Sequence, residues 1–596
     1  MRFQIVKHEN IPYVIAFLLA AALRFIHLGA LPLSDTEAVW ALQALHVAQG
    51  TPTLLGPQPI YVLPTSGLFY LFGSSNFLAR FFPALTGGLL ILVPYLFRER
   101  LKPVPSLLLA FFLALDPGLI SLSRQAGGLM PALTFLLLAW AFWWNQRPRV
   151  AGVFAGLALL SGPAVWAGLL GLGLAWILRR SMEKPLIPAE DEDQDEATES
   201  SPQVEAGQSV ERVRREDLKA ALLFGGGTIL LGGTMFFISP NGLSAWLSAL
   251  PAYLSGWARP SGVSIGRLVF ALIAYQPLAL VFGLVAVLRG WWGQQINNVR
   301  LSLWLLTAFL VALFYPARQV GDLAWALFPL WALAASELSN HMQIFLQERR
   351  EVAGMATLVF ILLAFSWLNY SAIALDPANI TSNMLQVGGN VLFQNLPPTR
   401  YVLLISVLLL LIVSVVMVAL GWSARIARLG SVWGLTLALG IYSLGMAWSA
   451  TGLRTPNGWE LWWPDKQPAQ AELLLTTVNE QSEWSTGDTM SQDVTLLNLD
   501  SPALEWLLRG RSLHTASGLD TQNEPAIIIS SQTDDINLPI AYRGQDFNWR
   551  REPYWEVAGF YEWIRWSVFR ELPYEDETVI VWVRNDLFID TSQSLP

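Results

Sequence analysis

Apolar residues fall in long blocks over the first 450 positions and in short ones after that. The long blocks run roughly 17–22 residues, about what a helix needs to cross 30 Å of hydrocarbon. The pattern predicts thirteen membrane spans, at about 11–29, 76–97, 104–122, 129–145, 151–160, 163–178, 219–238, 267–288, 301–315, 322–338, 354–373, 401–420 and 430–449. The first span lacks a small-residue cleavage site after a short apolar region, so it reads as a retained anchor.

From about Thr451 polar residues return and apolar runs shrink to strand length. The stretches 526–530 and 578–584 are predicted as buried strands. The stretch 501–509 is predicted as a helix, capped by Asp500 or Ser501 with Pro502 in its first turn. The stretch 541–550, polar and aromatic, reads as a loop. The fold class is an α-helical polytopic membrane protein of about 13 transmembrane helices with a C-terminal extracytoplasmic α/β domain.

Charge sets the orientation. Only 14% of residues are charged, against about 25% in an ordinary soluble domain. Basic residues gather at Arg2 and Lys7, Arg98 to Lys102, Arg147 and Arg149, and Arg179 and Arg180. They gather again at Arg289 and Arg300, Arg349 and Arg350, and Arg425 and Arg428. Thirteen crossings put all of these on the side of the N-terminus, which is then the cytoplasm. The alternate loops and the tail face outward from the cytoplasmic membrane. Membrane lipid is the expected surround, and no nucleic-acid partner is indicated.

One segment breaks the apolar pattern. Residues 181–218 hold twelve Asp or Glu and four Lys or Arg, a net charge of 4 − 12 = −8. Such a stretch cannot bury enough apolar surface to fold alone, so a disordered cytoplasmic linker is expected. It separates an N-terminal membrane module (1–180) from C-terminal membrane helices (219–450), with the outer domain at 451–596.

The chain has no cysteine, which excludes disulfides and thiolate metal sites. Its five histidines show no metal-ligand spacing, so no metal site is predicted. The candidate chemistry lies in the first outward loop, 31–75, where Asp35 and Glu37 stand beside the first span. A carboxylate so near the bilayer is costly to desolvate. Two positions apart on a helix, the pair diverge by about 200°, so only one can enter a given pocket. A helix cap is the plainer use for Asp35.

Three blocks give the loop company. They are Arg24-Phe-Ile-His-Leu-Gly29 with Pro32-Leu-Ser-Asp-Thr-Glu-Ala38, then Phe72-Gly-Ser-Ser-Asn-Phe-Leu-Ala-Arg80, then Asp116-Pro-Gly-Leu-Ile-Ser-Leu-Ser-Arg124. In this order and spacing they resemble the C-type glycosyltransferase superfamily, especially protein mannosyltransferases and aminoarabinose transferases. The sequence departs from that pattern twice. Thr36 separates acids the family usually writes side by side, and 125–130 lacks a second acid.

The resemblance implies an inverting membrane glycosyltransferase. Its donor would be a polyprenyl-phosphate-linked sugar, and its acceptor a hydroxyl on protein, lipid or glycan. Asp35 or Glu37 would be the catalytic base, Asp35 being favoured. Arginines suit a lipid phosphate, and the candidates are Arg80, Arg124, Arg318 and Arg259. Arg267 flanks the same loop as Arg259. Some relatives use a divalent cation, which Asp35 and Glu37 could hold, though no cofactor is required. In the tail, Tyr542, Arg543 and Trp549 are the candidates for sugar or acceptor contact, beside the plainer expectation of core packing. Two other classes remain open: a lipid-linked glycan transporter or flippase component, and a catalytically silent cell-envelope scaffold. Mid-span charges and internal repeats would mark the transporter, and the spans are nearly charge-free.

Overall fold

The computed structural model describes residues 10–182, 202–375, 383–387, 390–396, 399–454, 458–464, 466–518, 524–532 and 540–588. Apolar helices dominate up to Ala450 and a small mixed sheet follows. Among the described residues four helical stretches are long and apolar enough to cross a membrane, or six if each of two bent pairs is one span. Shorter apolar helices, such as Ile11–Phe25 and Leu129–Trp144, accompany them. This length test picks out fewer spans than the thirteen the hydrophobic pattern predicts, because several runs are broken.

The breaks have a local cause. The expected span 104–122 divides into Pro103–Leu115 and Pro117–Ser123, bent by 55°. Pro117 lacks an amide hydrogen, and the Asp116 carboxylate caps the new helix by accepting from the Leu119 amide at 2.6 Å. The expected span 267–288 divides at Pro277 into Ile265–Tyr275 and Pro277–Trp292, bent by 94°. The two breaks are tied together: Gln276 Nε2 donates to Asp116 Oδ2 at 2.6 Å, and Trp331 Nε1 donates to the same oxygen at 2.6 Å. A buried carboxylate is tolerated here because its oxygens are hydrogen-bonded.

Two other stretches differ from expectation. The loop 31–75 contains two helices, Asp35–Ala48 and Pro59–Phe72. The acidic segment enters a helix, Pro202–Gly233, that continues into the next apolar run, so 202–218 is helical. Residues 183–201, also expected as linker, lie outside the described residues.

The tail forms a six-stranded sheet, in the order Gln467–Pro468, Tyr542–Pro553, Tyr574–Arg584, Ile527–Ser531, Val494–Leu497, Leu513–Ala516. Val494–Leu497 pairs in parallel on both sides, and the remaining pairs are antiparallel. Both predicted strands are present, and the predicted helix is Pro502–Leu507 with Ser501 as its cap. The stretch expected as a loop at 541–550 is instead part of the longest strand.

The tail does not stand apart from the membrane part. Leu33, Ala41 and Tyr61 of the first loop share one hydrophobic core with Leu474, Trp506, Ile529 and Trp549 of the tail. Trp506 Nε1 donates to Asn76 Oδ1 at 2.7 Å, and Arg509 Nε donates to Ser74 Oγ at 3.0 Å. A second tie is fully buried. Arg570 lies 3.5 Å from Glu460, which also accepts from Tyr275 and Ser449. That cluster joins the tail helix Phe560–Phe569 to Ile265–Tyr275 and Ala424–Ala450.

Candidate active site

The three blocks come together at the tail side of the membrane helices. A cavity of about 80 Å³ is lined there by His27, Ser34, Glu37, Arg80, Arg124 and Gln125, among others. Thr451, at the end of Ala424–Ala450, and Trp463, on the strap leading into the tail, close it from the other side. The strap is anchored by Gln125 Nε2, which donates to the Trp462 carbonyl at 2.6 Å. Trp462 lies flat on Gly118, where a β-carbon would come within 2.7 Å of the ring. Only glycine admits that contact.

Glu37 faces the cavity but is saturated. It sits in a capping box: Ser34 Oγ accepts from the Glu37 amide, and the Glu37 carboxylate accepts from the Ser34 amide. Its Oε1 also accepts from Arg80 Nε at 2.7 Å and from the Ala126 amide at 3.0 Å. Its Oε2 accepts from Arg80 at 2.8 Å. Burial pushes the Glu37 pKa up, but the Arg80 charge and these hydrogen bonds outweigh it and hold the carboxyl below its ordinary value.

Arg80 is saturated too. A guanidinium has five N–H groups. Those of Arg80 go to the two Glu37 oxygens and to the carbonyls of Leu28, Leu31 and Pro32. The pair is electrically neutral, and its six outward bonds, one of them from Ser34 Oγ to Glu37 Oε2, fix the shape of the loop. Arg80 is thus engaged in holding Glu37 and the chain around residues 28–32.

Arg124 is different. Its guanidinium donates to the carbonyls of Leu23, Arg24, Ile26 and His27, at 2.8–3.2 Å. It caps the end of Ile11–Phe25, whose carbonyls carry partial negative charge. It pairs with no carboxylate among the described residues. Burial first and Arg80 second lower its pKa to about 10, so it stays a cation at neutral pH. The cavity therefore has one wall of net positive charge.

Asp35 is not part of that lining. It turns to the tail, where Oδ1 accepts from Ser501 Oγ and the Ala503 amide, both at 3.0 Å, and Oδ2 meets Arg550 Nε at 2.8 Å. As they stand, Asp35 and Glu37 face different arginines and do not converge. They do not form a cation site. No group of three His, Asp or Glu side chains suited to a metal occurs among the described residues.

The remaining candidates lie elsewhere. Arg318 donates to the carbonyls of Val263 and Leu313, stapling two neighbouring loops. Nearby Asp322 accepts from the Gln319 amide at 2.8 Å. Arg259 is exposed on the loop that Arg318 holds. Arg267 stacks over the Trp555 ring at 4.8 Å. Trp549 is fully buried and donates to Ser501 Oγ, leaving no face for a sugar. Tyr542 and Arg543 sit roughly 20 Å further along the same strand, where they bond Pro525 and Asn585. His27, Gln125 and Trp463 were not singled out in the sequence. His27 lay within the first block, but a lone histidine carries no spacing signal.

The fold, with its apolar helices and C-terminal sheet, is shared with solved membrane proteins. The particular likeness is to ArnT from Cupriavidus metallidurans. Its structure bound to undecaprenyl phosphate superposes with a TM-score of 0.51 at 13% identity, over 96% of this chain and 98% of that one. Its apo structure gives 0.52 at 14% identity, with the same coverage. The oligosaccharyltransferase of Archaeoglobus fulgidus, in complex with Zn and sulfate, aligns at 14% identity over 87% of this chain and 68% of that one, with a TM-score of 0.33. No family model matches the chain, and no curated protein matches it in sequence.

Proposed function

We propose that the chain is a membrane glycosyltransferase. It moves a sugar from a polyprenyl-phosphate donor to an acceptor hydroxyl on protein, lipid or glycan, at the outer face of the cytoplasmic membrane. The observation that carries this reading is the cavity where all three blocks meet, with the uncompensated cation Arg124 in its wall. A lipid phosphate leaving the sugar gains negative charge, and a fixed guanidinium nearby stabilises it. The undecaprenyl phosphate carried by the ArnT structure of like fold supports the choice of donor. Direct displacement by the acceptor inverts the anomeric carbon.

The base is where geometry and sequence part. Glu37 has no free lone pair, and Asp35 must leave Arg550 and two hydrogen bonds before it can take a proton. Their engagement also favours a second reading, a catalytically silent scaffold on a glycosyltransferase fold. Membranes holding the full chain should transfer labelled sugar from undecaprenyl phosphate carriers, and Arg124→Ala should lower that transfer at least about tenfold. Asp35→Asn and Glu37→Gln, compared separately, test the carboxylate base. An inactive wild type across hexose, pentose and aminopentose donors supports the scaffold.

A further inference from the structure

We propose that His27 takes the acceptor's proton, an assignment that rests on the glycosyltransferase reading of the cavity. Four charged or titratable side chains line the cavity: His27, Glu37, Arg80 and Arg124. Glu37 and Arg80 saturate one another and the surrounding backbone, and Arg124 is a permanent cation. That leaves one side chain able to accept a proton. The His27 imidazole has no hydrogen-bond partner among the described residues, and the residue is exposed.

Its backbone is the second observation. His27 has φ +50°, a left-handed conformation uncommon outside glycine. It follows Ile26, the residue that ends the helix Ile11–Phe25. The turn is held from outside: Arg124 donates to the carbonyls of Ile26 and His27 at 2.8 and 3.2 Å, and the Ala30 amide donates to His27 at 3.2 Å. A disfavoured conformation persists when its surroundings over-determine it, and such residues cluster at functional sites. The same guanidinium that lines the cavity thus holds the backbone turn that carries the imidazole.

The step balances without a further reactant. A lone pair of the acceptor oxygen forms the bond to the anomeric carbon. The bond from that carbon to the phosphate oxygen breaks, and its electron pair leaves with the lipid phosphate. The hydroxyl proton passes to the unprotonated ring nitrogen of His27. Imidazole suits this task, since it is the side chain that ordinarily changes charge between pH 5 and 8.

Two variants of the full chain in membranes test the assignment, with undecaprenyl phosphate carrying radiolabelled hexose, pentose or aminopentose as probe. His27→Gly keeps the left-handed turn accessible, and His27→Gln keeps a polar side chain. Both should lose transfer by about 100-fold or more while still retaining undecaprenyl phosphate. The acid limb of the wild-type pH–rate profile should vanish, and added imidazole should restore transfer by His27→Gly. Near-wild-type transfer by His27→Gly overturns the assignment and leaves the glycosyltransferase reading standing. So does a loss that imidazole leaves unchanged, or an acid limb that survives in His27→Gln. A wild type that neither binds undecaprenyl phosphate nor transfers any of the three sugars overturns both.

Discussion

Asp35 Oδ1 accepts a hydrogen bond from the Ala503 backbone amide at 3.0 Å, across 468 positions of sequence. The amide belongs to the first turn of Pro502–Leu507, whose own cap is Ser501. A side chain in the first loop therefore helps cap a helix in the tail. The same carboxylate holds Arg550, which also reaches Glu577 and the Asp500 carbonyl. Docking of the tail is written partly into the residue that the sequence offered as a catalytic acid.

That docking is open to measurement. Asp35→Ala should loosen the tail, at a cost of about 1–3 kcal/mol, typical of a lost cap and a partly buried hydrogen-bonded charge. Asp35→Asn keeps an acceptor for Ser501 and Ala503 and should cost less. Arg550→Gln combined with Asp35→Asn should fall short of the sum of the two single changes. Limited proteolysis of the strap near Trp463, with thermal unfolding of the purified protein, reads these effects. A double variant that loses the full sum of the two single changes would show that Asp35 does not act through Arg550.

A second consequence follows at Asp322, in the short turn Val320–Leu323. Burial raises its pKa to about 6 from an ordinary 3.8, against a lowering hydrogen bond from the Gln319 amide. The folded state thus holds the proton more tightly than the unfolded one. The stabilisation is complete below about pH 3.8 and is lost as pH rises through 6. Asp322→Asn carries no charge to bury and keeps an acceptor for Gln319. It should raise the melting temperature at pH 8 and change it little at pH 4. A gain of the same size at both values would remove the ionisation from the explanation.

Much of this architecture could be read from hydrophobic spacing alone. The apolar blocks, the composition change at Thr451, the cap at Ser501 and the buried strands each follow from local pattern. What could not be read is which polar group meets which. Asp116 and Gln276 each sit before a proline that breaks a helix, and nothing in a linear pattern says the two breaks touch. Residues 541–550 read as a loop because polar and aromatic types alternate there. In the sheet that alternation puts Phe547 and Trp549 inside, with more exposed polar residues between and before them. At the site, the sequence offered Asp35, Glu37, Arg80 and Arg124 as one set. The fold divides them by partner: Glu37 with Arg80, Asp35 with Arg550, and Arg124 with a helix end.

The Glu37–Arg80 pair should behave as one structural unit. Both side chains are buried and bonded at 2.7 Å. Removing either partner leaves a buried charge alone, which costs about 3–5 kcal/mol. Glu37→Gln and Arg80→Leu should each destabilise by that order, and the double variant should cost much less than their sum. Acid gives an independent check. The Glu37 pKa lies below its ordinary 4.5 in the folded state, so its stabilisation is present above that value and is lost as pH falls through the lowered one. The wild type should therefore lose more stability than Glu37→Gln when taken from about pH 6 to about pH 3. Parallel losses in the two proteins would mean that acid unfolding is driven from elsewhere. Additive single changes would mean that Glu37 and Arg80 hold the loop independently of one another.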